Sequence, residues 1–449
     1  MRIIYFLVLF MPFQEFVIKW LPVPDAVFFL LRQTTDVAII SLFVWVLLTQ
    51  IVRKGTVVTS RVGVEVLFLC FVLWAILLSA LTSGSDVGTN FSEIYVISRY
   101  GLLFYSVIAL KPTENEIAKL IKYISLSVLL QMCIGYAQFV GGDTVKVFFS
   151  ARDYTNSISE VARSFTINRV DARAALSGTT GDFINFAYLM AVGLILYVTI
   201  PGRLVKRIII MALVGVVLFL SGSRAISISV IFVVLGYVLW IRNVLARYLV
   251  FAVIFAVIFP VFFILMDLAK SVEYDYVSFW ALFREETIIS LLNQRLGMLV
   301  FFMPEFIASG DFIVGLSPDR FYIADVARRN YEGMPLVLIS VFDQVFEDFY
   351  FIALFAYYGF VGFALYMTIF WKIFRVAREL QESGDYLTRR VATISVLLLI
   401  IAIPLNIANQ AFEARYFSFY LWLFAGLVVH MKRVQLVNST NDYAHPAHP

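Results

Sequence analysis

Two neighbouring acids, Glu347 and Asp348, lie where a polar stretch of the chain meets a long apolar run. Ionisable groups at a membrane boundary are costly to desolvate, so such a pair either anchors a helix end or belongs to a functional site. Adjacent residues on a helix point about 100° apart, so only one of the two can face a small site. That carboxylate could take a proton from a substrate hydroxyl. The alternative is an acid that only stabilises the helix N-terminus through the helix dipole.

A basic residue that could complement these acids ends the segment Ser221-Gly222-Ser223-Arg224, between two apolar runs. Small residues let a bulky headgroup approach the backbone, and the Arg224 guanidinium could then bind a phosphate through two hydrogen bonds. Arginine is disfavoured in short external turns, so a functional role would explain why Arg224 occurs there. The alternative is an interfacial arginine whose charged end simply reaches water.

Four more arginines occur in two long polar segments, and we expect them to serve the same kind of site: Arg173, Arg295, Arg320 and Arg329. Arginine is favoured over lysine where planar recognition of phosphate or carboxylate matters. Arg295 lies within residues 284–302, whose apolar positions predict a helix in the membrane interface that ends at Pro304. An ordinary packing helix and ordinary loop salt bridges are the alternatives.

The composition is that of a membrane protein. Of 449 residues, 61% are hydrophobic and 15% are charged, whereas soluble chains carry about a quarter charged residues. The apolar residues form runs near the length of a bilayer crossing, which predicts an all-α polytopic integral membrane protein. About twelve transmembrane helices are expected, near residues 2–20, 35–51, 62–82, 94–110, 117–140, 182–200, 206–221, 225–241, 248–267, 347–371, 391–409 and 416–431.

Lysine and arginine concentrate in alternate linkers, and linkers rich in these residues stay in the cytoplasm. Both termini are therefore expected in the cytoplasm. The predicted organisation is an N-terminal bundle of about nine spans (1–267) with an external loop (141–181), a large external loop with interfacial helices (268–346), C-terminal transmembrane helices (347–432) and a disordered cytoplasmic tail (433–449).

Several short motifs, taken in order, resemble the superfamily of O-antigen polymerases and O-antigen ligases, bacterial membrane glycosyltransferases of the GT-C type. They are Arg173 followed by Ser177-Gly178-Thr179, the Ser-Gly-Ser-Arg segment ending at Arg224, Arg295 followed by Gly315-Leu316, and residues 346–362, which end in Gly-x-x-Gly. The resemblance extends over most of the chain, and the order of the motifs is more specific than any one of them.

The chain departs from the ligases at one place. Ligases of this superfamily carry a His-Asn pair where the return helix of the large loop begins, and here the residues are Glu347-Asp348. The three histidines are His430, His445 and His448, none of them in a predicted external segment. An acid at this place resembles what several polymerases carry. The resemblance therefore implies a polymerase of O-antigen or exopolysaccharide at the outer face of the bacterial inner membrane.

Such an enzyme would transfer an undecaprenyl-diphosphate-linked glycan onto another lipid-linked repeat unit. The expected residues are Asp348, or else Glu347, as the base, and Arg224, Arg295, Arg173, Arg329 and Arg320 as ligands of the donor diphosphate. No metal and no cofactor is expected. The expected partners are the lipid-linked oligosaccharide as donor and acceptor, the lipid bilayer, a chain-length regulator and a flippase, and no nucleic acid.

Two alternatives stay open. One is a ligase that passes the glycan to a lipid or protein acceptor, and the other is a transporter or flippase of lipid-linked sugars. A carrier should place its ionisable groups deep in its spans, often in repeated halves. In this sequence most polar residues lie outside the spans and no internal repeat is evident, which favours an external enzyme.

Overall fold

The computed structural model describes residues 1–54, 62–82, 85–149, 176–200, 204–223, 226–227, 229–230, 233, 237, 298–330, 349–383 and 385–444. Every regular element in these residues is helical. In chain order, helices α1 to α14 are Arg2–Phe10, Gln14–Lys19, Asp25–Arg32, Thr34–Lys54, Val64–Leu81, Val87–Leu110, Glu114–Phe149, Phe183–Val198, Leu204–Leu220, Met303–Ala308, Arg320–Asn330, Tyr350–Leu380, Tyr386–Ala408 and Arg415–Ala444. A turn of 3-10 helix, Met11–Phe13, joins α1 to α2, and a turn of π-helix, Met298–Phe302, precedes α10.

Several of these helices are long and apolar enough to cross a membrane. Among the described residues there are six: Thr34–Val52, Val64–Leu81, Val87–Leu110, Glu114–Gly142, Tyr350–Leu380 and Tyr386–Ile407. Two shorter apolar helices are Phe183–Val198 and Ile209–Leu220. The structure is thus that of an all-helical membrane protein. The predicted spans 225–241 and 248–267 lie almost entirely outside the described residues, as does much of the loop 268–346.

Helix α5 shows how these helices meet lipid. Its residues Leu69 and Leu73 are 57% and 56% exposed, while Phe71 and Ala75 are completely buried. Exposed leucines one turn apart would be unfavourable in water but are compatible with lipid chains. One face of α5 therefore packs on protein and another faces the bilayer.

The first predicted span, residues 2–20, is not one continuous helix. It is divided into α1, the 3-10 turn and α2. Pro12 explains the division, because proline lacks a backbone N–H and disrupts the hydrogen bonding of the preceding turn. The Pro12 carbonyl accepts hydrogen bonds from Gln131 Nε2 at 3.1 Å and Thr179 Oγ1 at 2.6 Å. These contacts stabilise the break.

The chain forms two compact units. The first comprises the described parts of Met1–Ala38, Thr113–Leu282 and Arg415–Phe417. Within it, α7 packs against α1, α8 and α9. Helix α8 is buried continuously from Phe186 to Val198, as expected for a helix that is apolar on all sides. It is therefore the core helix of the first unit.

The second unit comprises the described parts of Ile39–Pro112, Phe283–Ala414 and Ser418–Pro449. Its centre is the antiparallel pair α5 and α12. At one end of the pair, Lys372 Nζ lies 3.5 Å from the Val62 carbonyl oxygen. Further along, the Trp74 indole N–H donates to the Tyr358 carbonyl at 2.8 Å. Helix α6 packs on α5, and α13 packs on α12.

Two predicted helix ends were wrong. Pro304 does not end a helix but lies in the first turn of α10, where its missing N–H has no intrahelical acceptor to lose. Phe302 and Phe306, both buried, stack across it with ring centroids 5.4 Å apart. Helix α14 continues to Ala444, through residues assigned to the disordered tail.

Candidate functional site

Five of the seven predicted site residues lie outside the described residues: Asp348, Glu347, Arg224, Arg295 and Arg173. The other two, Arg320 and Arg329, lie on α11. The structure also describes segments next to several of the others, including residues 176–182, residues 221–223 and the start of α12. The helix predicted to begin at Glu347 begins at Tyr350, after an N-cap at Phe349.

Both arginines on α11 have contacts on their own helix. Arg329 is 76% exposed and its Nη2 lies 3.2 Å from Asp325 Oδ2, one helical turn away. Such a surface pair contributes about 0–1 kcal/mol to stability. The Arg320 guanidinium lies 5.0 Å from the centre of the Phe321 ring. Their predicted role in diphosphate binding stays a prediction.

The residues before α11 fix the large loop onto the turn between α5 and α6. Ser317 Oγ donates to Asn90 Oδ1 at 2.8 Å, and the Asp86 amide donates to Asp319 Oδ2 at 3.3 Å. The other oxygen of Asp319 accepts from the Phe321 amide at 2.9 Å and so caps α11. Ser317 is completely buried and Asp319 nearly so. This part of the loop is therefore part of the packed protein.

Hydrogen bonds fix residues 85–90, at the start of α6. Asp86 caps α6 and accepts from the Thr89 amide at 2.7 Å and the Thr89 hydroxyl at 2.8 Å. These hydrogen bonds hold the pKa of Asp86 below its usual value. Asn90 Nδ2 donates to Ser85 Oγ at 2.8 Å. Asp86 therefore stays ionised at neutral pH. Its backbone amide is the group that contacts Asp319 of the loop.

Helix α12 is broken at Gly359, whose φ of 66° and ψ of −176° are not helical. A Cβ atom on Gly359 would lie 2.2 Å from the Val314 carbonyl carbon and 2.4 Å from the Gly315 nitrogen. Both neighbours are backbone atoms, so only glycine lets the loop approach the helix this closely. Residues 314–315 and Gly359 thus meet backbone to backbone.

The loop also satisfies backbone groups at this break. The Leu316 amide donates to the Ala356 carbonyl at 2.8 Å, and the Phe360 amide donates to the Phe312 carbonyl at 2.7 Å. Unsatisfied backbone groups are very costly inside a membrane, so these contacts stabilise a break that lipid alone would not permit.

Beyond the break, α12 folds back on itself. The Phe355 and Phe363 rings stack with centroids 3.8 Å apart. A straight helix would separate two residues eight positions apart by about 12 Å along its axis. The Phe351 and Phe363 centroids are only 6.3 Å apart as well. The first nine residues of α12 therefore form a short arm packed against the rest of the helix.

An acid that the sequence analysis did not select lies at the start of this arm. Glu413 belongs to the turn between α13 and α14, and Tyr350 donates its hydroxyl to Glu413 Oε1 at 2.5 Å. Arg99 Nη2 donates to the Glu413 carbonyl at 3.2 Å. Tyr350 is completely buried, and Glu413 is partly exposed. The structure thus fixes a carboxylate directly beside the first residue of α12.

Two more tyrosines of α12 lie within electrostatic range of Glu413, namely Tyr358 and Tyr366. Both are buried. The Tyr366 hydroxyl has no hydrogen-bond partner among the described residues. We call Glu413, Tyr350, Tyr358 and Tyr366 the Glu413 cluster. Polar hydroxyls are costly to bury, so three of them around one carboxylate mark a specialised place in the second unit.

The first unit contains a separate ionic cluster, formed by Gln14, Glu15, Arg32, Thr35 and Arg415 and called the Glu15 cluster. Arg32 Nε donates to both Glu15 oxygens, at 2.8 and 3.0 Å. Arg415 Nη1 lies 3.5 Å from Glu15 Oε1, and its Nη2 donates to Thr35 Oγ1 at 2.8 Å and to Gln14 Oε1. Glu15 is 2% exposed, whereas the arginines are 34% and 18% exposed.

The Glu15 cluster contacts the beginning of α8. A Cβ on Gly181, whose φ is 96°, would lie 3.1 Å from Glu15 Cγ. The next residue, Asp182, caps α8 by accepting from the Asn185 amide at 2.7 Å, and it interacts electrostatically with Glu15. Asp182 is exposed. An accessible carboxylate therefore lies near the buried ion pairs.

The motif Ser177-Gly178-Thr179 that follows Arg173 is buried against α7. Gln138 Oε1 accepts from the Gly178 amide at 2.9 Å, and Gln138 Nε2 donates to the Gly178 carbonyl at 2.9 Å. Gln131 Oε1 accepts from the Thr179 amide at 3.0 Å. Two glutamines of one helix thus replace the backbone partners that this irregular segment lacks. Its role in the first unit is to fix the start of α8.

The segment before Arg224 is also packed rather than exposed. Ser221 is completely buried and its hydroxyl donates to the Leu218 carbonyl at 2.5 Å. Gly222 has a φ of 78°, which glycine adopts without strain. The Leu220 carbonyl accepts from the Leu176 amide at 3.4 Å. The residues that precede Arg224 and those that follow Arg173 therefore contact each other.

Sequence reasoning did not find Glu413, Glu15, Arg32 or Arg415 as site residues. A signal for them exists, because each lies at or near the end of an apolar run on the predicted external side. The Glu15 contacts with Arg32 and Arg415 join residues 17 and 400 positions apart. No local pattern predicts such a pairing.

No group of three or more His, Cys, Asp or Glu side chains that could hold a metal ion occurs within the part of the chain that the structure describes. A comparison of the chain with protein-family models and with curated proteins found no match.

Proposed function

We propose that this protein is a polysaccharide polymerase of the GT-C type at the outer face of the bacterial cytoplasmic membrane. It transfers a glycan from undecaprenyl diphosphate onto the sugar of another lipid-linked repeat unit, without a metal ion. The proposal rests on the ordered sequence motifs. The observation in the structure that supports it most is the Glu413 carboxylate, which is fixed beside Tyr350 at the start of α12. Tyr350 follows Asp348 by two residues.

The contacts within each unit support the predicted sidedness of the helix ends. In the second unit, residues predicted to be external contact one another, as in Ser317 with Asn90 and Tyr350 with Glu413. Helix ends predicted to be cytoplasmic also pair, as in Lys432 Nζ, which lies 3.1 Å from Glu379 Oε2. This arrangement is the one expected if the polar clusters face the outside together.

The first unit follows the same rule. Gln14, Glu15, Arg32 and Arg415 all come from helix ends predicted to be external. At the ends predicted to be cytoplasmic, the Tyr5 hydroxyl donates to the Glu116 carbonyl at 3.1 Å. Two arginines in short external linkers are unusual under the positive-inside rule. Their shared pairing with the Glu15 carboxylate gives them a structural reason.

The proposed chemistry needs no covalent enzyme intermediate. A diphosphate is already a good leaving group, so arginines that stabilise its developing charge and residues that position the acceptor can provide most of the rate. A carboxylate at the start of α12, Asp348 or Glu347 in the sequence-based assignment, takes the proton of the acceptor hydroxyl. Arg224 and Arg295 are the proposed ligands of the donor diphosphate, with Arg173, Arg329 and Arg320 as lesser candidates.

The test in cells uses a strain that lacks the chromosomal gene and carries a plasmid copy. The wild-type copy should restore long glycan chains, whereas Arg224→Ala and Asp348→Asn copies, present in the membrane at normal levels, should leave single repeat units on the carrier. Lys372→Ala, on the predicted cytoplasmic side, is the control and should retain polymer. Full-length polymer from both site variants would show that these residues are not the site.

A carrier of lipid-linked sugars is the second candidate, and one observation favours it. Discontinuous helices such as α12 form substrate sites near the membrane midplane in transporters. The break at Gly359 is sealed by the loop, however, and the carboxylate beside α12 lies at a helix end. The enzyme therefore accounts for more of the described polar residues.

A further inference from the structure

Glu413 is held more firmly than an ordinary turn residue. Its own amide donates to the Gln410 carbonyl at 3.1 Å, and the next amide, of Ala414, donates to the same oxygen at 2.9 Å. The preceding amide, of Phe412, donates to Oδ1 of the fully buried Asn406 at 3.1 Å. The Arg99 contact with the Glu413 carbonyl adds a fourth constraint. A turn this short and this well bonded fixes its side chains in space.

The carboxylate of Glu413 is also oriented by a hydrogen bond. The Tyr350 hydroxyl, completely buried, donates to one oxygen at 2.5 Å. Among the described residues, titratable or charged groups near it include Tyr358 and Tyr366 of α12, with Arg99 of α6 on the backbone of its turn. Glu93 of α6 interacts with Tyr358. A functional acid needs this type of fixed position, because small displacements of a reacting group cost large factors in rate.

Glu413 contacts the chain close in sequence to the residues where the base is expected. Tyr350, its hydrogen-bond partner, lies two residues after Asp348. Along α12, Lys372 follows Gly359 by 13 residues, or about 20 Å of helix, while the hydrocarbon core is about 30 Å thick. If Lys372 marks the cytoplasmic boundary, the break lies in the outer half of the membrane. The Glu413 cluster extends from there along α12 to Tyr366, six residues from Lys372.

We propose that Glu413, in place of the sequence-based candidates Asp348 and Glu347, is the carboxylate that receives the proton of the acceptor hydroxyl. This inference rests on the proposed polymerase and changes only the assignment of its base. The acceptor O–H bond breaks and its proton moves to a carboxylate oxygen of Glu413. The acceptor oxygen forms a bond to the anomeric carbon of the donor. The bond from that carbon to the diphosphate oxygen breaks, and its electron pair leaves on undecaprenyl diphosphate. Tyr350 is a positioning residue that holds the ionised carboxylate.

The first test measures kcat of purified variants on the lipid-diphosphate-linked repeat unit. Glu413→Gln keeps the shape of the side chain but cannot take a proton, and positioned bases contribute about 100- to 10,000-fold. We expect kcat to fall at least about 100-fold at an unchanged melting temperature. Glu379→Gln is the matched control, since it also converts a carboxylate to an amide, at a partly exposed residue of the predicted cytoplasmic side, and it should keep wild-type kcat.

The second test uses Tyr350→Phe, which keeps the ring and removes only the donor hydroxyl. Losing a hydrogen bond to the ionised carboxylate makes it easier to protonate. The acidic limb of kcat/KM against pH should therefore move to higher pH. Tyr420→Phe is the control, because the buried Tyr420 hydroxyl has no hydrogen-bond partner among the described residues and its removal should leave the profile unchanged.

The outcomes separate this inference from the proposed function. A wild-type enzyme that polymerises while Glu413→Gln retains its full rate would overturn the role of Glu413 and leave the polymerase intact. An unchanged acidic limb in Tyr350→Phe would also overturn it, even if Glu413→Gln proved unstable. A wild-type protein that forms no polymer would contradict the proposed function itself.

Discussion

At the scale of single residues, the first unit depends on Glu15. Its carboxylate is almost fully buried and is shared by two arginines that come from distant parts of the chain. A buried charge is tolerated only when it is paired and hydrogen-bonded. The break after α1 brings Gln14 and Glu15 to this position, so Pro12 and Glu15 act together.

Glu15→Gln should destabilise the protein markedly. The change leaves two half-buried guanidinium groups without their shared carboxylate, and breaking a buried ion pair costs about 3–5 kcal/mol. Because both arginines still reach solvent, we expect the lower part of that range, on the order of 3 kcal/mol. Thermal unfolding in detergent would measure the loss as a lower Tm.

Asp325→Asn is the matched control for Glu15→Gln. It also converts a carboxylate to an amide, but in an exposed pair with Arg329, so it should change stability by less than about 1 kcal/mol. Equal Tm values for the two variants would show that the Glu15 cluster does not stabilise the first unit.

At the scale of elements, the break in α12 is the feature on which the second unit depends. The segment Tyr350–Leu380 is apolar and would cross the membrane as a straight helix on composition alone. The backbone of residues 312–316 packs against Gly359. It forms hydrogen bonds with the backbone N–H and C=O groups that the break leaves without helical partners. The large loop and α12 therefore pack together as one assembly. Tyr350, the first residue of α12, contacts Glu413.

Gly359→Ala tests this close approach. A φ of 66° with a ψ of −176° is essentially restricted to glycine and costs another residue about 1–3 kcal/mol. The Cβ of alanine would also meet two backbone atoms at 2.2 and 2.4 Å. We expect a loss of more than about 3 kcal/mol, or failure to fold, as judged by Tm and by the yield of monodisperse protein.

Gly310→Ala separates the cost of the backbone conformation from the cost of the Cβ contacts. Gly310 also has a positive φ, of 81°, but no atom lies within 4 Å of the position of its Cβ. Gly310→Ala should therefore lower the free energy of unfolding only by the cost of the backbone conformation, about 1–2 kcal/mol. If both variants were equally stable, the contact between Gly359 and residues 314–315 would not matter to the fold.

At the scale of the whole molecule, the sequence predicted the helical membrane architecture and the approximate bounds of many helices. The apolar run predicted as 62–82 is helix Val64–Leu81, and the run predicted as 391–409 corresponds to Tyr386–Ala408. Apolar length is a strong local signal, because a bilayer requires it wherever a helix crosses. The division of the first span at Pro12 has a local cause as well.

The parts that could not be predicted depend on contacts between distant residues. Gly359 is one glycine in an apolar helix, and only the approach of Val314 and Gly315 explains its broken conformation. In the sequence Glu413 is an ordinary acid in a six-residue turn, and only the structure shows its contact with Tyr350. The acidic pair Glu347-Asp348 could be recognised because the two residues adjoin at an apolar boundary, whereas Glu413 has no such neighbour in sequence.

The most direct measurement of the central claim is a polymerisation assay with the purified protein in detergent. The only substrate is the undecaprenyl-diphosphate-linked repeat unit, and EDTA is present throughout. We expect a ladder of products that differ by one repeat unit, formed without any second acceptor. Products that form only when a separate lipid or protein acceptor is added would indicate a ligase, and no transfer under either condition would contradict the enzyme and favour the carrier.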